Sequence, residues 1–295
     1  MFGRKAATVP TDPGKIRSIY KTERCNAMLV VFTDLDGTFL DSLTYSYDKS
    51  LPALEYLHQR NIPVVFCSSK TRSEQEVYRE KLGIHHPFIV ENGGAIYIPN
   101  GYFPFDFEFH RVTDEYQIIE LGIPYQQVRR VIEQVRAETG VHFKGYGDMT
   151  DEEVAELTGL DIKSAHFARA REYDETVNLQ VNASDRDKVL ALIKRAGLNY
   201  IFGSRFCNVM GPHDKGKAVR ILIDLFKRKE GQVTSAGIGD SLNDVSMLSV
   251  VDMAYLVQKP DNSWESMSIS NLRRVEGIGP EGWSTAVMEI VEYTV

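Results

Sequence analysis

The stretch Met28-Leu29-Val30-Val31-Phe32-Thr33-Asp34-Leu35-Asp36-Gly37-Thr38 decides how the rest of the chain is read. Its unbroken apolar opening suits a strand buried on both faces, as in the middle of a parallel sheet. Two acids stand two positions apart where that strand stops, and ligands in open α/β sheets bind outside the carboxyl ends of strands. Residues two apart in extended backbone point the same way. One carboxylate can then attack a phosphorus while its neighbour manages the leaving-group proton.

Outward from this strand the pattern repeats. Ser50 is placed to cap a helix with Leu51, Leu54 and Leu57 on one face and Pro52 in its first turn. Pro63 to Cys67 reads as a second strand, Arg72 to Leu82 as a helix closed by Gly83, and Phe88 to Glu91 as a third strand before the turn Asn92-Gly93-Gly94. That is a βαβαβ unit. After Phe107 the rhythm changes: an amphipathic helix opens at Pro124, Thr150 and Glu153 form a capping box, and short strands and helices alternate. Core rhythm returns at Arg205 to Met210, followed by a helix, strands at Val233 to Ile238 and Met253 to Val257, and a closing helix from about Ser284. The expected organisation is an extension over residues 1–27, a core in two parts (28–107 and 206–295), and an inserted α+β unit over 108–205.

Length and composition narrow the classes. A chain of 295 residues with 43% hydrophobic and 25% charged residues can form two packed units. A formal net charge of -7 offers no general attraction for nucleic acid or anionic membrane, so an anionic ligand must be captured locally. Cys25, Cys67 and Cys207 are odd in number and widely spaced, which suggests neither a disulfide framework nor a zinc site, and fits a reducing cytoplasm. No apolar run approaches the ~20 residues that cross a bilayer.

Two acids beside a dianionic phosphate need cations, since like charges 4 Å apart repel by about 4 kcal/mol at an effective dielectric of 20. Lys215, in Gly211-Pro212-His213-Asp214-Lys215-Gly216, stands at a helix start, where the macrodipole disfavours a cation unless an anion is near. A second acid cluster, Gly239-Asp240-Ser241-Leu242-Asn243-Asp244, follows the strand at 233 to 238. Oxygen ligands from Asp34, Asp36 and Asp240 suit a hard ion that keeps some of its waters, namely Mg²⁺. Ser68, at the end of the second strand, offers a hydroxyl and a backbone N–H to phosphoryl oxygens.

These four segments in this order resemble the haloacid dehalogenase superfamily, with coverage from about Met28 to the C-terminus. The resemblance implies a Rossmann-like core and a C2B-type cap. It also implies catalytic roles for Asp34 as nucleophile, Asp36 as acid and base, Ser68 and Lys215. Mg²⁺ would be held by the Asp34 side chain, the Asp36 carbonyl and Asp240, with Asp244 supporting its shell. Ser68-Ser69-Lys70-Thr71, Glu91-Asn92-Gly93-Gly94, Arg169-Ala170-Arg171-Glu172-Tyr173-Asp174-Glu175 and Asp214-Lys215-Gly216-Lys217-Ala218 are similar to the mannosyl-3-phosphoglycerate phosphatase family. A glycosyl-3-phosphoglycerate is the substrate this implies, with Ser69, Asn92, Gly93, Arg169, Arg171 and Glu172 facing it and the arginines meeting its carboxylate. The protein is expected as a monomer or homodimer, without nucleic acid or membrane partners.

Other readings of the same residues are weaker. A calcium loop would want glutamate where Tyr45 stands, and a P-loop would want a hydroxyl where Ala218 stands. The alternation Phe103, Phe105, Phe107, Phe109 suits one buried face of a strand or hinge linker, and the histidines and Trp264 and Trp283 suit packing or surface roles. A phosphomannomutase-like phosphotransferase, another sugar-phosphate phosphatase and a non-catalytic phosphosugar sensor are the alternative functions.

Overall fold

Strand β1 (Met28–Thr33) lies between two parallel neighbours, with Met28 opposite Val233 on one side and Val31 opposite Val64 on the other. The computed structural model describes residues 27–203 and 206–294, so the extension expected over 1–27 lies almost wholly outside the described residues, as do Cys25 and Arg205. Alternate β1 side chains feed opposite faces of the sheet. Leu29 and Val31 join Leu54, Leu57, Trp283 and Ile290, while Val30 and Phe32 join Val65, Leu222, Phe226 and Leu248. Each such burial is worth about 1.5–3 kcal/mol, which pins the strand's register.

Helix α1 (Leu51–Gln59) leads to β2 (Val64–Phe66), and α2 (Arg72–Leu82) to β3 (Phe88–Val90). The Ser50 hydroxyl does not cap α1; it donates to the Phe39 carbonyl at 2.8 Å. Helix α2 has the expected left-handed Gly83 end and a capping box between Thr71 and Glu74. Strands β4 (Ala95–Pro99), β5 (Arg111–Val112) and β6 (Tyr116–Glu120) follow.

The inserted part contains α3 (Tyr125–Thr139), β7 (Lys144–Gly145), α4 (Asp151–Thr158), α5 (Ile162–Arg169), β8 (Asp174–Asn178), α6 (Ala183–Arg195), β9 (Asn199–Phe202) and β10 (Cys207–Met210). The chain closes with α7 (Lys215–Glu230), β11 (Val233–Gly239), α8 (Val245–Leu248), β12 (Met253–Gln258), β13 (Leu272–Ile278) and α9 (Pro280–Thr294).

The central sheet has the order β13-β12-β11-β1-β2, all parallel, with helices on both faces. A bridge from Cys67 to Ile89 continues it into an antiparallel sheet, β3-β4-β6-β5. This sheet moves the expected boundary at 108. Strand β6 pairs back onto β4 and β5 onto β6, and Ile118 and Ile119 are buried with core residues, so the structurally separate unit starts near Pro124. Its other end moves too. Strand β10 pairs with β8 and β9, and Cys207 and Val209 pack with Val128, Ile132, Val189 and Ile193. The segment expected to reopen the core at 206 is thus the third strand of the cap sheet β7-β8-β10-β9.

Smaller differences have local causes. Strand β8 stops at Asn178, and Asn182 caps α6 by accepting from the Asp185 N–H at 2.9 Å. Phe103, Phe105 and Phe107 lie on irregular backbone; Phe103 stacks on Phe105, meets Phe107 edge to face, and lies 5.4 Å from Phe226 of α7. Among the described residues no helix is long and apolar enough to cross a membrane.

Candidate active site

Where β1 ends, the Asp34 N–H still donates to the Ile238 carbonyl at 3.0 Å, so the nucleophile candidate is the last residue held in the sheet. Beneath it, the Trp283 indole donates to the Thr33 hydroxyl, which donates to the Asp34 carbonyl at 2.7 Å. The chain then turns at Gly37, whose φ of +82° favours glycine. A Cβ there would also stand 2.8 Å from Asp240 Oδ2. Glycine is therefore what lets the first acidic loop close on the second.

Lys215 opens α7, and its ammonium runs back into the site, 2.6 Å from Asp34 Oδ1 and 2.7 Å from Asp244 Oδ1. It is 1% exposed, so these are desolvated, charge-assisted contacts. Asp244 is anchored from behind: its Oδ2 accepts the N–H groups of Asp240 and Ser241 at 3.0 and 3.2 Å. Asp240 accepts from the Thr38 hydroxyl at 3.3 Å.

Asp34, Asp240 and Asp244 bring carboxylate oxygens within 4.8 Å of one another. One ammonium against three buried carboxylates leaves the cluster short of positive charge. Burial is the largest cause that pushes the Asp34 carboxyl up to about 7; Lys215 opposes the rise and Asp244 adds to it. Asp240 is raised well above the usual carboxylate range by burial and then by Asp244 and Asp34. Burial works against the Lys215 ammonium, but the two acids it touches hold its affinity for the proton above the ordinary lysine value. A set of hard oxygen donors in this electrostatic condition fits a divalent cation.

The Asp36 side chain is placed apart from this cluster. It is 37% exposed and pairs with Lys70 at 3.0 Å, while Lys70 also pairs with Glu74 at 3.2 Å. Lys70 was given no separate role by sequence; its only signal is its place two residues after Ser68. Ser68 is buried, and its hydroxyl accepts the Lys70 N–H at 3.2 Å.

The turn at 91–94 sits against the start of α7 so closely that a Cβ on Gly93 would stand 2.3 Å from the Asp214 carbonyl oxygen. Asn92, at φ +58°, donates to Asp174 Oδ2 at 3.1 Å and accepts from Asn243 at 3.4 Å, joining cap, turn and acid loop. Glu91 does more than the sequence indicated. Its carboxylate accepts the N–H groups of Glu172, Tyr173 and Asp174 at 2.8–3.1 Å, fastening the cap segment to the core.

The cap residues expected to face a ligand are engaged elsewhere. Arg171 is buried, with Nε 2.6 Å from Asp174 Oδ1 and Nη2 donating to the Ser69 carbonyl at 2.7 Å, so its fork grips the chain itself. Arg169 donates to the Tyr146 carbonyl and pairs with Asp151 within the cap. Glu172 accepts from the Tyr97 hydroxyl at 2.8 Å and pairs with Arg72 and Arg111. The structure thus gathers Asp34, Lys215, Asp240 and Asp244 at one point, sets Asp36 beside Lys70, and gives Arg169, Arg171 and Glu172 partners within the protein.

Comparison with known proteins gives the family. Residues 31–264 match the family described as haloacid dehalogenase-like hydrolase. The chain is 46% identical over 263 residues to the glucosyl-3-phosphoglycerate/mannosyl-3-phosphoglycerate phosphatase of Methanococcoides burtonii, covering 89% of this chain and 97% of that protein. It is 42% identical to the mannosyl-3-phosphoglycerate phosphatase of Pyrococcus furiosus, covering 77% and 90%. Among solved structures, the sucrose-phosphatase of Synechocystis sp. PCC6803 shares the fold at a TM-score of 0.58 and 14% identity, covering 91% and 98%. With the acidic cluster at the strand ends and a match over most of its length, the chain belongs to the haloacid dehalogenase-like hydrolases.

Proposed function

We propose that this protein is a Mg²⁺-dependent phosphatase that hydrolyses a glycosyl-3-phosphoglycerate to the glycosylglycerate and inorganic phosphate. The observation that carries the chemistry is the contact of Asp34 with Lys215 inside a buried acidic cluster. The substrate class rests on the names of relatives that match along nearly their whole length.

Asp34 attacks the phosphorus. The P–O bond to the glycerate breaks, and the phosphoryl group passes to the Asp34 carboxylate as an aspartyl-phosphate. Asp36 gives its proton to the departing oxygen and then takes one from the water that attacks the phosphoenzyme; the second P–O bond breaks and Asp34 is restored. Lys215 neutralises Asp34 and a phosphoryl oxygen, and Ser68 donates to another. Asp34, the Asp36 carbonyl and Asp240 would hold Mg²⁺, with Asp244 behind them, and the ion when bound offsets charge on the phosphoryl oxygens. The cap segment fastened by Glu91 excludes water and strengthens each of these charge interactions.

A phosphate-release screen with Mg²⁺ tests the reading. Mannosyl- and glucosyl-3-phosphoglycerate should exceed 3-phosphoglycerate, glucose 6-phosphate and mannose 1-phosphate in kcat/KM by at least about 100-fold. Faster cleavage of the simple hexose phosphates would overturn the substrate assignment and leave the chemistry standing.

A further inference from the structure

With Arg171 and Arg169 engaged inside the protein, the carboxylate of a glycosyl-3-phosphoglycerate needs another cation. Lys215 sits at the phosphoryl end, between Asp34 and Asp244. Among the described residues, Lys70 is the other buried ammonium in contact with the acids of this site. It is 6% exposed, and it pairs at 3.0 Å with the buried Oδ1 of Asp36, whose side chain as a whole is 37% exposed at the mouth of the site.

The main chain around Lys70 is fixed at several points. Its N–H donates to the Ser68 hydroxyl, and its carbonyl accepts from the Glu91 N–H and the Gln75 side chain. The ring of Tyr45 lies 5.1 Å from the ammonium. The ammonium donates to Glu74 at 3.2 Å and is ion-paired with Asp36 at 3.0 Å. A cation held this firmly is pre-organised and loses little freedom when it takes a ligand oxygen.

Position selects which ligand group it meets. If Asp36 hands its proton to the oxygen on carbon 3 of the glycerate, the Lys70 ammonium stands beside that oxygen. The carboxylate carbon is three bonds from it, through carbons 3 and 2. We propose that Lys70 is the residue that recognises the glycerate carboxylate and so sets the preference for phosphoglycerate esters over other sugar phosphates. This rests on the substrate reading above and names the residue that enforces it.

The test compares mannosyl-3-phosphoglycerate with an analogue whose carboxylate is reduced to a hydroxymethyl group, since both release phosphate from the same primary oxygen. The ratio of their kcat/KM values is measured for the wild type, Lys70→Gln, Lys70→Met and Lys70→Arg. Loss of folded enzyme, or loose placement of Asp36, lowers both rates together and cancels in the ratio. The expected result is a ratio about 10- to 100-fold smaller in Lys70→Gln and Lys70→Met, the range of a charged hydrogen bond, and retained within a few-fold in Lys70→Arg. A wild-type ratio near one, or a large ratio unchanged by Lys70→Gln and Lys70→Met, overturns the role of Lys70 and leaves the substrate reading intact. No wild-type turnover of mannosyl-3-phosphoglycerate overturns both.

Discussion

Replacing Asp34 by asparagine should abolish activity and at the same time remove a pH-dependent weakness of the ion-free protein. Asp34 is 3% exposed, and its folded-state carboxyl titrates near 7 instead of 3.8, with burial as the largest cause. The folded protein therefore holds this proton more tightly than the unfolded chain does. The resulting stabilisation is complete below about pH 4 and is lost as pH rises through about 7. Each tenfold change in proton affinity is about 1.4 kcal/mol, so the loss by pH 8 is about 4 kcal/mol. Asparagine has no such proton, and it also removes one of the charges that raise Asp240, so what remains of the Asp240 rise, from burial and Asp244, adds no opposing trend. Urea denaturation in EDTA, followed by the fluorescence of Trp264 and Trp283, should show Asp34→Asn gaining about 4 kcal/mol on the wild type between pH 4 and 8. Adding Mg²⁺ at pH 8 should favour the wild type, which keeps all its ligands. A stability difference that stays flat from pH 4 to 8 in EDTA would refute the reasoning.

Three further outcomes are expected. Asp244→Asn should raise the Mg²⁺ concentration for half-maximal phosphate release about 10- to 100-fold, because Asp244 aligns both Lys215 and the 240–241 backbone. Glu91→Ala leaves three cap N–H groups without their acceptor, at about 1–3 kcal/mol for each one buried; KM should rise at least about tenfold, with faster amide exchange at Tyr173 and Asp174. Gly93→Ala combines φ +95° with a Cβ 2.3 Å from the Asp214 carbonyl oxygen, and should destabilise the protein by about 3 kcal/mol or more in urea titration.

The sequence revealed the parts of this site whose chemistry is local. Asp34 follows directly on the apolar run of β1, and Lys215 stands at a helix start where a cation is misplaced unless an anion is near. What stayed hidden depends on distant partners. Cys207–Met210 has the burial of a core strand, and only its pairing with Asp174–Val177 and Asn199–Phe202 assigns it to the cap. Periodicity reports that a face is buried, not what covers it. The same holds for charge: Arg171 reads as a fork facing a substrate carboxylate because the Ser69 carbonyl, which takes its Nη2, lies far away in sequence. Lys70 was overlooked for the converse reason, since nothing near it in sequence shows that Asp36 folds to within 3.0 Å.

The most direct measurement of the central claim is to find where the phosphoryl group rests between its two transfers. Enzyme mixed with excess mannosyl-3-phosphoglycerate and Mg²⁺, quenched with borohydride during turnover, should yield homoserine at position 34 on peptide mass mapping, because borohydride reduces an acyl phosphate to an alcohol. Active enzyme that gives homoserine at Asp36, Asp240 or Asp244, or at no position, would contradict the account.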